Sequence, residues 1–477
     1  MYNGDISHKL INSVLAQSAD KAAFCISTDD GVININYGDF AKDILSYTNY
    51  FLKENLSGKH ISIWSDNCYE WVVTLFALFA SGNVVVPLNH NLPEADILSV
   101  CEQADTEVII CSNNLSFENP TLFEKYQILS FEQISGASPI DASQIYTYEF
   151  DETALLLSTS GTTGRSKLVE LSSGNLVSAI DSLLAGEGTC WSRTMSMFPF
   201  FHAGGLALAF TVSGGGKTFC MGRGLKYIFA DIPRLNPEFL TCVPMITDTI
   251  VKMAKRISSK ADMENYLGSS LRIINCAGSK LSDATAESLS RFDLMIATAY
   301  GMSESGISAA YNSTGLHPDS IGFPNPGVEF KIAEDGELLI KSGSVMKGYY
   351  KDPEETAKVL INGWLHSGDL AKCDDEGYYY IIGRKKNVIC LANGENVNPE
   401  EIEDIIVTCP AVEEILVYGD GKGICADIYS TDDTIADKFI SDYNESVPMY
   451  RQIYKIYHFS KPLEKTSSGK LKRKGNK

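Results

Sequence analysis

The sequence predicts an α/β protein. Its large N-terminal domain would hold two doubly wound α/β subdomains and a small β-barrel or sheet, and a small α+β C-terminal domain would follow. Short, continuously apolar strands alternate with helical patterns up to residue 112 and again over residues 194–300, which is typical of parallel sheets covered on both faces. Near Ile321 strands of strictly alternating polarity begin, and the pattern changes again at residues 383–387. We therefore expect domains over residues 1–384 and 385–477, since 477 residues exceed one ordinary core.

The first part of the chain reads as a helix, a hairpin and then alternating helices and strands. Apolar residues at helical spacing predict an opening amphipathic helix, and they are Ile6, Leu10, Ile11, Val14 and Leu15. AAFCIS and VININY flank Asp29-Asp30-Gly31, which predicts a hairpin. The alternation that follows consists of a helix near 39–55, strand HISIW, helix YEWVVTLFALFA, strand NVVVPL, helix PEADILSVCEQA and strand EVIICS.

The second half contains three different patterns. Strands are expected near FLTCVP, LRIINCA and LMIATAY. VEFKIAEDGELLIKSG predicts a hairpin about Asp335-Gly336, and DEGYYYIIG predicts another strand. The last part reads as helix PEEIEDIIVTC, strands VEEILVYG and GICADIYS, a helix near 433–445 and a basic Ser/Gly-rich tail, which is enough for a small α+β domain.

Composition excludes several classes of function. Apolar residues make up 44% and charged residues 21% of the chain, as in soluble globular proteins. Sixty acidic and 40 basic side chains give a net charge of −20, which disfavours nucleic-acid binding and attachment to a membrane surface. The longest apolar run, near residues 71–80, is too short for an integral membrane segment. Twelve cysteines without CxxC spacing, and an N-terminus without an apolar leader, predict reduced thiols in the cytoplasm and disfavour a structural zinc site.

A Ser/Thr/Gly-rich loop is the strongest candidate binding element. The segment LLLSTSGTTGRSKLVELSSGNL passes from an apolar strand into a loop of small donors and then into a strand or helix. Glycines let backbone amides approach an anion, hydroxyls add donors and a lysine adds a cation. The residues concerned are Thr159, Ser160, Gly161, Thr162, Thr163, Gly164 and Lys167. The alternative is a surface linker, but linkers rarely follow a buried strand such as ALLLS, so we favour polyphosphate binding.

A second glycine-rich stretch does not support nucleotide binding. SGGGKT ends like a Walker A loop, yet that loop requires glycine five residues before Gly216, where Thr211 stands. We interpret residues 214–217 as a turn that leads into strand TFCM.

Three further candidates are weak when taken singly. Glu304 and Ser303, in YGMSES after the strand LMIATA, could bind Mg²⁺ and phosphate, or could form a glycine turn. Asp369, in HSGD before a strand region, could accept hydrogen bonds from a ribose or cap a turn. Arg384 could support the same ribose or be a solvated charge, and Lys470 by itself reads as a solvated tail lysine.

Taken together and in this order, these segments resemble one family. STSGTTGRSK, YGMSE, GWLHSGD, GRKKNVICLANGENVNPEEIE and TSSGKLKR are similar to successive motifs of the adenylate-forming superfamily. That superfamily includes acyl- and aryl-CoA synthetases, adenylation domains of peptide synthetases and luciferases, and this chain most resembles the bacterial acyl-CoA synthetases. The resemblance implies that a carboxylate attacks the α-phosphorus of ATP to give an acyl-adenylate and pyrophosphate, and that a thiol then displaces AMP.

The resemblance also implies roles for individual residues. The 159–167 loop would hold the β- and γ-phosphates of ATP, Glu304 would anchor Mg²⁺ and Ser303 would contact the α-phosphate. The ribose would be held by Asp369 and Arg384. The remaining nucleotide contacts would come from Gly278, Ser279, Tyr300, Gly301 and Met302. Lys470 would reach the carboxylate and the α-phosphate from a mobile C-terminal domain that turns about the hinge residue Lys386.

The sequence departs from the family motifs in three ways. Ser166 and Leu168 replace the usual Pro and Gly, and Ser303 replaces the commoner Thr but keeps the hydroxyl. Glu170 occupies a usually apolar position, which the sequence leaves unexplained. None of these departures removes a reactive group, so we expect activity.

The resemblance restricts the class of the acid substrate more than the identity of the thiol acceptor. FPFFHAGGL looks like the segment that lines the acyl pocket, and the pocket residues implied are His202, Ala203, Gly204, Cys276 and Ala277. Amino-acid-activating domains carry Asp where His202 stands, so a fatty or aryl acid is expected, in a pocket made roomy by small residues. The alternative for His202 is a packed structural histidine.

Coenzyme A is the expected acceptor of the acyl group. The alternatives are the phosphopantetheine of an acyl carrier protein as acceptor, a non-catalytic acyl or nucleotide sensor, and a kinase-like phosphoryl transferase. We expect a monomer or homodimer.

Overall fold

The computed structural model describes residues 4–112, 117–159, 166–186, 191–277, 283–391, 395–465 and 471–473. The chain divides into two compact units. The N-terminal unit comprises Met1–Phe330, Ile340–Leu365 and Glu376–Tyr378, and the C-terminal unit comprises Lys331–Leu339, His366–Asp375 and Tyr379–Lys477. A domain boundary after residue 384 remains a prediction.

The α-helices include those that the sequence predicted. They are α1 (Ile6–Leu15), α2 (Tyr37–Lys53), α3 (Tyr69–Ala80), α4 (Glu94–Gln103), α5 (Phe131–Ile134), α6 (Ser173–Gly186), α7 (Ala203–Gly215), α8 (Ile228–Leu235), α9 (Pro244–Arg256), α10 (Lys260–Leu267), α11 (Asp283–Ser290), α12 (Pro353–Val359), α13 (Pro399–Ile406) and α14 (Asp433–Ser446). The predicted opening helix is confirmed: Asp5 caps it through the amides of Ser7 and His8, and its apolar side buries Ile6 and Leu10.

The strands are short, as expected for sheets buried on both faces. They are β1 (Ala22–Ser27), β2 (Val32–Asn36), β3 (His60–Trp64), β4 (Val84–Pro87), β5 (Val108–Cys111), β6 (Gln127–Ser130), β7 (Thr153–Thr159), β8 (Lys167–Ser172), β9 (Arg193–Ser196), β10 (Thr218–Met221), β11 (Phe239–Cys242), β12 (Ile273–Ala277), β13 (Met295–Tyr300), β14 (Ala310–Asn312), β15 (Phe323–Pro324), β16 (Val328–Ile332), β17 (Glu337–Ser342), β18 (Gly348–Tyr349), β19 (Leu360–Ile361), β20 (Trp364–Cys373), β21 (Tyr379–Arg384), β22 (Ile389–Cys390), β23 (Asn396–Val397), β24 (Val412–Gly419), β25 (Ile424–Ser430) and β26 (Ile453–Phe459).

The seven-stranded sheet of the N-terminal unit has the order β18-β8-β7-β4-β3-β5-β6. The strands from β7 to β6 in this order are parallel, as the alternation of helices and strands predicts. In contrast, β8 runs antiparallel to β7, and β18 runs antiparallel to β8. The Ser/Thr/Gly loop therefore joins two neighbouring antiparallel strands at the carboxyl end of β7.

The nine-stranded sheet has the order β15-β14-β13-β12-β11-β9-β10-β1-β2. The predicted β1–β2 hairpin is confirmed, with Ser27 opposite Val32. Strand β1 lies parallel to β10, where Phe24 pairs with Phe219. The N-terminal hairpin thus completes a sheet whose other strands come from residues 193–324.

Two local predictions were wrong. The turn expected over residues 214–217 begins later, because α7 continues through Gly215. The turn starts at Gly216, whose φ is +63°, and strand TFCM is confirmed as β10. Asp369 does not precede a strand region, since it lies inside β20 opposite Arg384 of β21. The region after residue 321 contributes β16, β17, β19, β20 and β21 to a five-stranded sheet, and the hairpin about Asp335-Gly336 is confirmed.

The C-terminal unit contains a three-stranded sheet with the order β24-β25-β26. Helices α13 and α14 share a buried apolar cluster with this sheet, which includes Ile402, Val417, Ile428 and Ile440. Strand β26 was not predicted. It pairs parallel to β25. The predicted α/β fold with a large N-terminal and a small C-terminal domain is confirmed.

Two global properties concern the described residues alone. None of their helices combines the length and the apolar character that crossing a bilayer requires. The described cysteines are free thiols.

Candidate functional site

The ends of the Ser/Thr/Gly loop are fixed by strand pairing. Thr159 is the last residue of β7 and lies opposite Lys167, the first residue of β8, and the Thr159 hydroxyl donates to the Lys167 carbonyl at 3.4 Å. The loop therefore leaves and re-enters the sheet at one place. Its remaining predicted ligands lie outside the described residues, and they are Ser160, Gly161, Thr162, Thr163 and Gly164.

Lys167 is held at the end of this loop by two contacts. Its Nζ forms an ion pair with Oε2 of Glu355 at 2.5 Å and lies 4.7 Å from the centre of the Tyr349 ring. Hydrogen bonds from Lys167 and then from Lys358 lower the pKa of Glu355 to about 2. Since the Lys167 side chain keeps 28% of its exposure, its charge remains accessible to an anion.

Glu304 lies just beyond the carboxyl end of β13. That strand ends at Tyr300, and a single turn of 3₁₀ helix spans Ser303–Ser305. Gly301 permits the sharp exit from the strand, because a Cβ there would lie 2.1 Å from the carbonyl oxygen of Ile307. The predicted position of this segment at a strand end is confirmed.

The carboxylate of Glu304 is 9% exposed. Its Oε1 accepts a hydrogen bond from the Tyr349 hydroxyl at 2.9 Å, and its backbone carbonyl accepts one from the Met346 amide at 3.0 Å. Ser303, the residue before it, is partly buried, and the Met302 amide donates to Ser305 Oγ at 3.1 Å. The turn that presents Glu304 is thus held by Met346 from outside the turn and by the hydrogen bond between Met302 and Ser305 within it.

Tyr349 joins the two charged residues, and the motifs did not reveal it. It lies in β18 opposite Val169 of β8, so its ring lies beneath Lys167 while its hydroxyl reaches Glu304. Burial and the Glu304 charge raise the pKa of Tyr349 well above its usual value, and the hydroxyl therefore stays protonated as a donor.

The unexplained Glu170 has a structural partner. Its Oε1 accepts hydrogen bonds from Lys347 Nζ at 2.8 Å and from the Thr153 hydroxyl at 2.5 Å. Glu170 lies opposite Gly348 of β18. The charge therefore links β8 to β18, the strand that carries Tyr349.

The Glu304 region fits a magnesium ion that arrives with a polyphosphate. A single carboxylate supplies the hard oxygen ligand that Mg²⁺ prefers, and Mg²⁺ in such sites takes its other ligands from water and substrate phosphates. Within the described residues, no group of three or more His, Cys, Asp or Glu side chains is placed to hold a metal ion. By its chemistry, Glu304 could therefore contribute one ligand to Mg²⁺.

Three of the predicted acyl-pocket residues, His202, Ala203 and Gly204, lie at the start of α7, directly after the segment 198–201. Asn67 fixes this segment, because its Nδ2 donates to the Phe198 carbonyl at 2.9 Å and its Oδ1 accepts from the Phe200 amide at 2.8 Å. His202 is exposed, and its ring lies 4.5 Å from that of Phe201. Neighbouring protein atoms displace part of the water around the imidazole, which lowers the pKa of His202. The side chain therefore offers a neutral ring rather than a charge.

The small residues after His202 have different surroundings. A Cβ on Gly205 would lie 2.1 Å from the Pro199 carbonyl oxygen, so its size is required by a close backbone approach. Ala203 and Gly204 are partly buried, and a Cβ on Gly204 would make only an ordinary contact with Phe198. Cys276 is fully buried in the core of the nine-stranded sheet. Ala277 ends β12, and Gly278 and Ser279 lie outside the described residues.

Asp369 and Arg384 are brought together in the C-terminal unit. Arg384 Nε lies 2.6 Å from Asp369 Oδ1, and the two residues are opposite each other in β20 and β21. Asp369 is 3% exposed, and its amide donates to Ser367 Oγ at 3.0 Å. The pair is therefore a fixed carboxylate with a guanidinium beside it.

The predicted hinge residue follows this pair directly. Lys386 lies in the 3₁₀ turn Lys385–Asn387 after β21. Loss of hydration, followed by the nearby charge of Arg384, lowers the pKa of Lys386.

Lys470 lies outside the described residues, and the residues that follow it are anchored. Leu471 forms an antiparallel bridge with Lys465. Arg473 donates to Oε2 of Glu403 at 2.5 Å and to the Val417 carbonyl at 3.1 Å. The segment after the predicted catalytic lysine is thus tied to α13 and β24.

Curated relatives align along most of this chain. A 2-succinylbenzoate–CoA ligase of Bacillus cytotoxicus is 27% identical over 443 residues, covering 87% of this chain and 88% of that protein. The long-chain-fatty-acid–CoA ligase FadD15 of Mycobacterium bovis is 25% identical over 434 residues, covering 77% and 72%. Both names describe acid–CoA ligases.

Solved structures share the fold. O-succinylbenzoate coenzyme A synthetase (MenE) from Bacillus subtilis, solved in complex with AMP, matches with a TM-score of 0.83 and 22% identity over 97% of this chain and 96% of that chain. The same synthetase, solved with ATP and a magnesium ion, matches with a TM-score of 0.82 and 23% identity over 97% of this chain and 98% of that chain.

Two family models cover nearly all of the sequence. The AMP-binding enzyme model matches residues 12–350, and the model of the AMP-binding enzyme C-terminal domain matches residues 386–476. The chain therefore belongs to the AMP-binding enzyme family, which confirms the resemblance found in its motifs.

Proposed function

We propose that this protein activates a carboxylic acid without an α-amino group, using ATP, and transfers the acyl group to the thiol of coenzyme A. The family and the relatives named as CoA ligases confirm the predicted enzyme class, an AMP-forming acid–thiol ligase. The observation that carries the proposal is the connection of Lys167 to Glu304 through Tyr349. A cation and a buried carboxylate at two strand ends suit a polyphosphate and its metal ion.

In the first half-reaction, a carboxylate oxygen of the substrate bonds to the α-phosphorus of ATP, and the bond from that phosphorus to the bridging oxygen breaks. Two anions must approach each other, so neutralising charge and positioning the reactants are the main tasks of the protein. Lys167 offsets phosphate charge and Ser303 donates to the α-phosphate. Glu304 would hold Mg²⁺, which supplies further neutralisation of the phosphates.

The remaining nucleotide contacts follow from the motifs. Asp369 accepts hydrogen bonds from the ribose hydroxyls, and Arg384, whose Nε lies 2.6 Å from Asp369 Oδ1, orients that carboxylate. The adenine is bound by Gly278, Ser279 and Tyr300, with Gly301 and Met302 in the adjoining backbone. Lys470 offsets the negative charge that develops between the carboxylate and the α-phosphate.

In the second half-reaction, the thiol sulfur bonds to the acyl carbon and AMP leaves. Lys386 serves as the hinge residue, and its turn begins immediately after Arg384. Such a turn is a place where a few residues can absorb a backbone change between the two half-reactions.

The class of acid is inferred from His202 and from the relatives. A neutral histidine gives no fixed negative charge to pair with the ammonium group of an amino acid. The named relatives act on 2-succinylbenzoate and on long-chain fatty acids. We therefore propose a fatty or aryl acid.

The test of adenylation is release of pyrophosphate from ATP and Mg²⁺ in the presence of single acids. The panel contains 2-succinylbenzoate, benzoate, fatty acids of several lengths and, as negative controls, amino acids. Acid-dependent pyrophosphate with AMP supports the proposal. ADP with phosphate would indicate a kinase or ATPase, and binding without turnover would indicate a sensor.

The acceptor is identified in a second step with the best acid. Coenzyme A and a holo acyl carrier protein are supplied separately, and the thioester is measured by mass spectrometry. A thioester with free coenzyme A supports the proposal, whereas transfer only to the carrier protein would replace it with a carrier-loading function.

Lys470 is tested against a neighbouring lysine. Lys470→Ala should abolish adenylation while leaving ATP affinity within a few-fold, because the lysine contributes to the transition state. Lys472→Ala is the matched control, since Lys472 is exposed and pairs only distantly with Glu464, at 3.8 Å. Normal turnover by the Lys470 variant would show that the assignment is wrong.

Lys386 is tested by restricting its backbone. Lys386→Pro should slow thioester formation more than adenylation, because proline fixes φ at the hinge. Both rates are measured in the same preparation, with purified acyl-adenylate as the substrate of the second. Equal losses in the two rates would contradict a hinge at this residue.

A cytoplasmic location and a monomeric or homodimeric state complete the proposal. The free thiols of the described cysteines accord with a reducing compartment. Size-exclusion chromatography with light scattering measures the mass in solution.

A further inference from the structure

Glu337 is a buried carboxylate in the C-terminal unit that the motifs did not single out. It is the first residue of β17 and is 4% exposed. Its Oε1 accepts a hydrogen bond from the Gly368 amide at 2.9 Å. Its Oε2 lies 3.0 Å from His366 Nδ1 and 2.9 Å from Lys385 Nζ. Donors from β20 and from the residue after β21 therefore occupy both carboxylate oxygens of Glu337.

The partners of Glu337 lie next to the Asp369–Arg384 pair. Gly368 immediately precedes Asp369, and Lys385 immediately follows Arg384. Gly368 has a φ of +72°, a conformation that other residues rarely adopt and that aims its amide at Glu337. Glu337 thus holds the backbone amide just before Asp369 and the side-chain ammonium group just after Arg384.

The charge of Glu337 is maintained by these contacts. Burial by itself would raise its pKa, but the hydrogen bonds from Lys385, His366 and the Gly368 amide outweigh burial and lower it. A buried carboxylate that is ionised needs all of its donors, because an unpaired charge in the interior is costly. Loss of the charge would therefore weaken the hold on the Gly368 amide and on the Lys385 side chain together.

We propose that Glu337 is a positioning residue for ribose binding, which holds the Gly368 amide and the Lys385 side chain so that Asp369 and Arg384 present a fixed carboxylate to the ribose hydroxyls. The inference rests on the proposed function, in which Asp369 binds the ribose. It adds a residue on a third strand that touches neither the nucleotide nor the reacting atoms.

Asp335 provides a matched control for Glu337. Lys385 Nζ also lies 2.6 Å from Asp335 Oδ2, but Asp335 is half-exposed, and its Oδ1 accepts a hydrogen bond from the Glu337 backbone amide at 3.2 Å. Glu337→Gln removes the charge and places an amide group against a lysine, whereas Asp335→Asn weakens the same lysine contact from the solvent side.

The experiment compares ATP with 2′-deoxy-ATP in acid-dependent pyrophosphate release. We expect the wild-type protein to prefer ATP, and Asp369→Asn to remove most of this preference. Glu337→Gln should raise KM for ATP on the order of tenfold, with little change in kcat, and reduce the preference for ATP toward that of Asp369→Asn. Asp335→Asn should keep the wild-type preference. A merely structural loss would lower kcat for both nucleotides by the same factor.

The failures are distinguishable. If Asp369→Asn keeps the wild-type preference, the ribose assignment in the proposed function fails and the inference fails with it. If Asp369→Asn loses the preference and Glu337→Gln keeps it, the inference alone is overturned. If Glu337→Gln does not fold, Lys385→Met makes the same test from the other side, and an unchanged preference in that variant overturns the inference.

Discussion

Tyr349 offers the sharpest test of the candidate site in the N-terminal unit. Tyr349→Phe removes one hydroxyl and keeps the ring that lies 4.7 Å from Lys167 Nζ. The contact that disappears is the 2.9 Å hydrogen bond to Glu304 Oε1. The variant therefore separates the support of Glu304 from the support of Lys167.

The size of the effect follows from the kind of hydrogen bond that is lost. A hydrogen bond to a charged group contributes about 1.5–3 kcal/mol, and removal of a partner of a metal ligand typically costs about 10–100-fold in metal affinity or activity. Because Glu304 is the proposed Mg²⁺ ligand, we expect the Mg²⁺ concentration for half-maximal adenylation to rise at least about tenfold. At saturating Mg²⁺ the KM for ATP should change little, since the Lys167 contact is kept.

The assay is acid-dependent pyrophosphate release as a function of Mg²⁺ at saturating acid. Tyr350→Phe is the matched control, because the neighbouring tyrosine also donates to a carboxylate, Asp105, at 2.8 Å, and Asp105 has no part in the candidate site. An unchanged Mg²⁺ requirement in Tyr349→Phe, or an equal shift in the Tyr350 variant, would refute the role given to the hydroxyl.

Three further predictions follow from single contacts. Lys167→Met should raise KM for ATP about tenfold or more, because a charge-assisted contact to phosphate is lost; steady-state kinetics measures it, and unchanged KM contradicts it. Gly301→Ala should destabilise the protein by about 3 kcal/mol, since the new Cβ would lie 2.1 Å from a backbone oxygen; thermal unfolding measures it, and an unchanged Tm contradicts it. Burial raises the pKa of Glu403 to about 7. The folded state therefore binds a proton that the unfolded state has lost, and stability should fall as pH rises from about 4.5 to about 7; unfolding at several pH values should show this fall in the wild-type protein and a smaller one in Glu403→Gln.

Elements with strong local patterns were predicted closely. The segment YEWVVTLFALFA matches the bounds of α3, and every residue from Trp71 to Ala80 is buried. Strand VEEILVYG matches β24. In both cases the local sequence and the burial agree, so the pattern alone was sufficient.

The missed elements depend on contacts between distant segments. Strand β26 lies at the edge of its sheet, and Tyr454, Tyr457 and Phe459 remain exposed. Its burial pattern therefore lacks the regular alternation of a half-buried strand. The position of β1 beside β10 joins residues almost two hundred positions apart. No local pattern encodes such a neighbour.

The same distinction applies to the candidate site. Lys167, Glu304 and Asp369 stand in motifs that can be recognised from a few neighbouring residues. Tyr349 lies in a strand that pairs with β8, which is distant in the sequence, and Glu337 contacts a residue of another strand. Only the structure identifies residues that depend on such contacts.

The partners of Lys167 and Glu304 in the N-terminal unit explain how both charges stay available to a ligand. Lys167 has its ion pair with Glu355, and Glu304 accepts from the neutral Tyr349 hydroxyl. A neutral donor orients a carboxylate without cancelling its charge, whereas a cation as partner would compete with a metal ion for the same oxygen. The partially exposed Glu355 can release Lys167 to a more highly charged phosphate at little cost, because an ion pair open to solvent is weak. Tyr349 therefore contacts both the cation and the carboxylate, so that each can meet the ligand that the proposed function gives it.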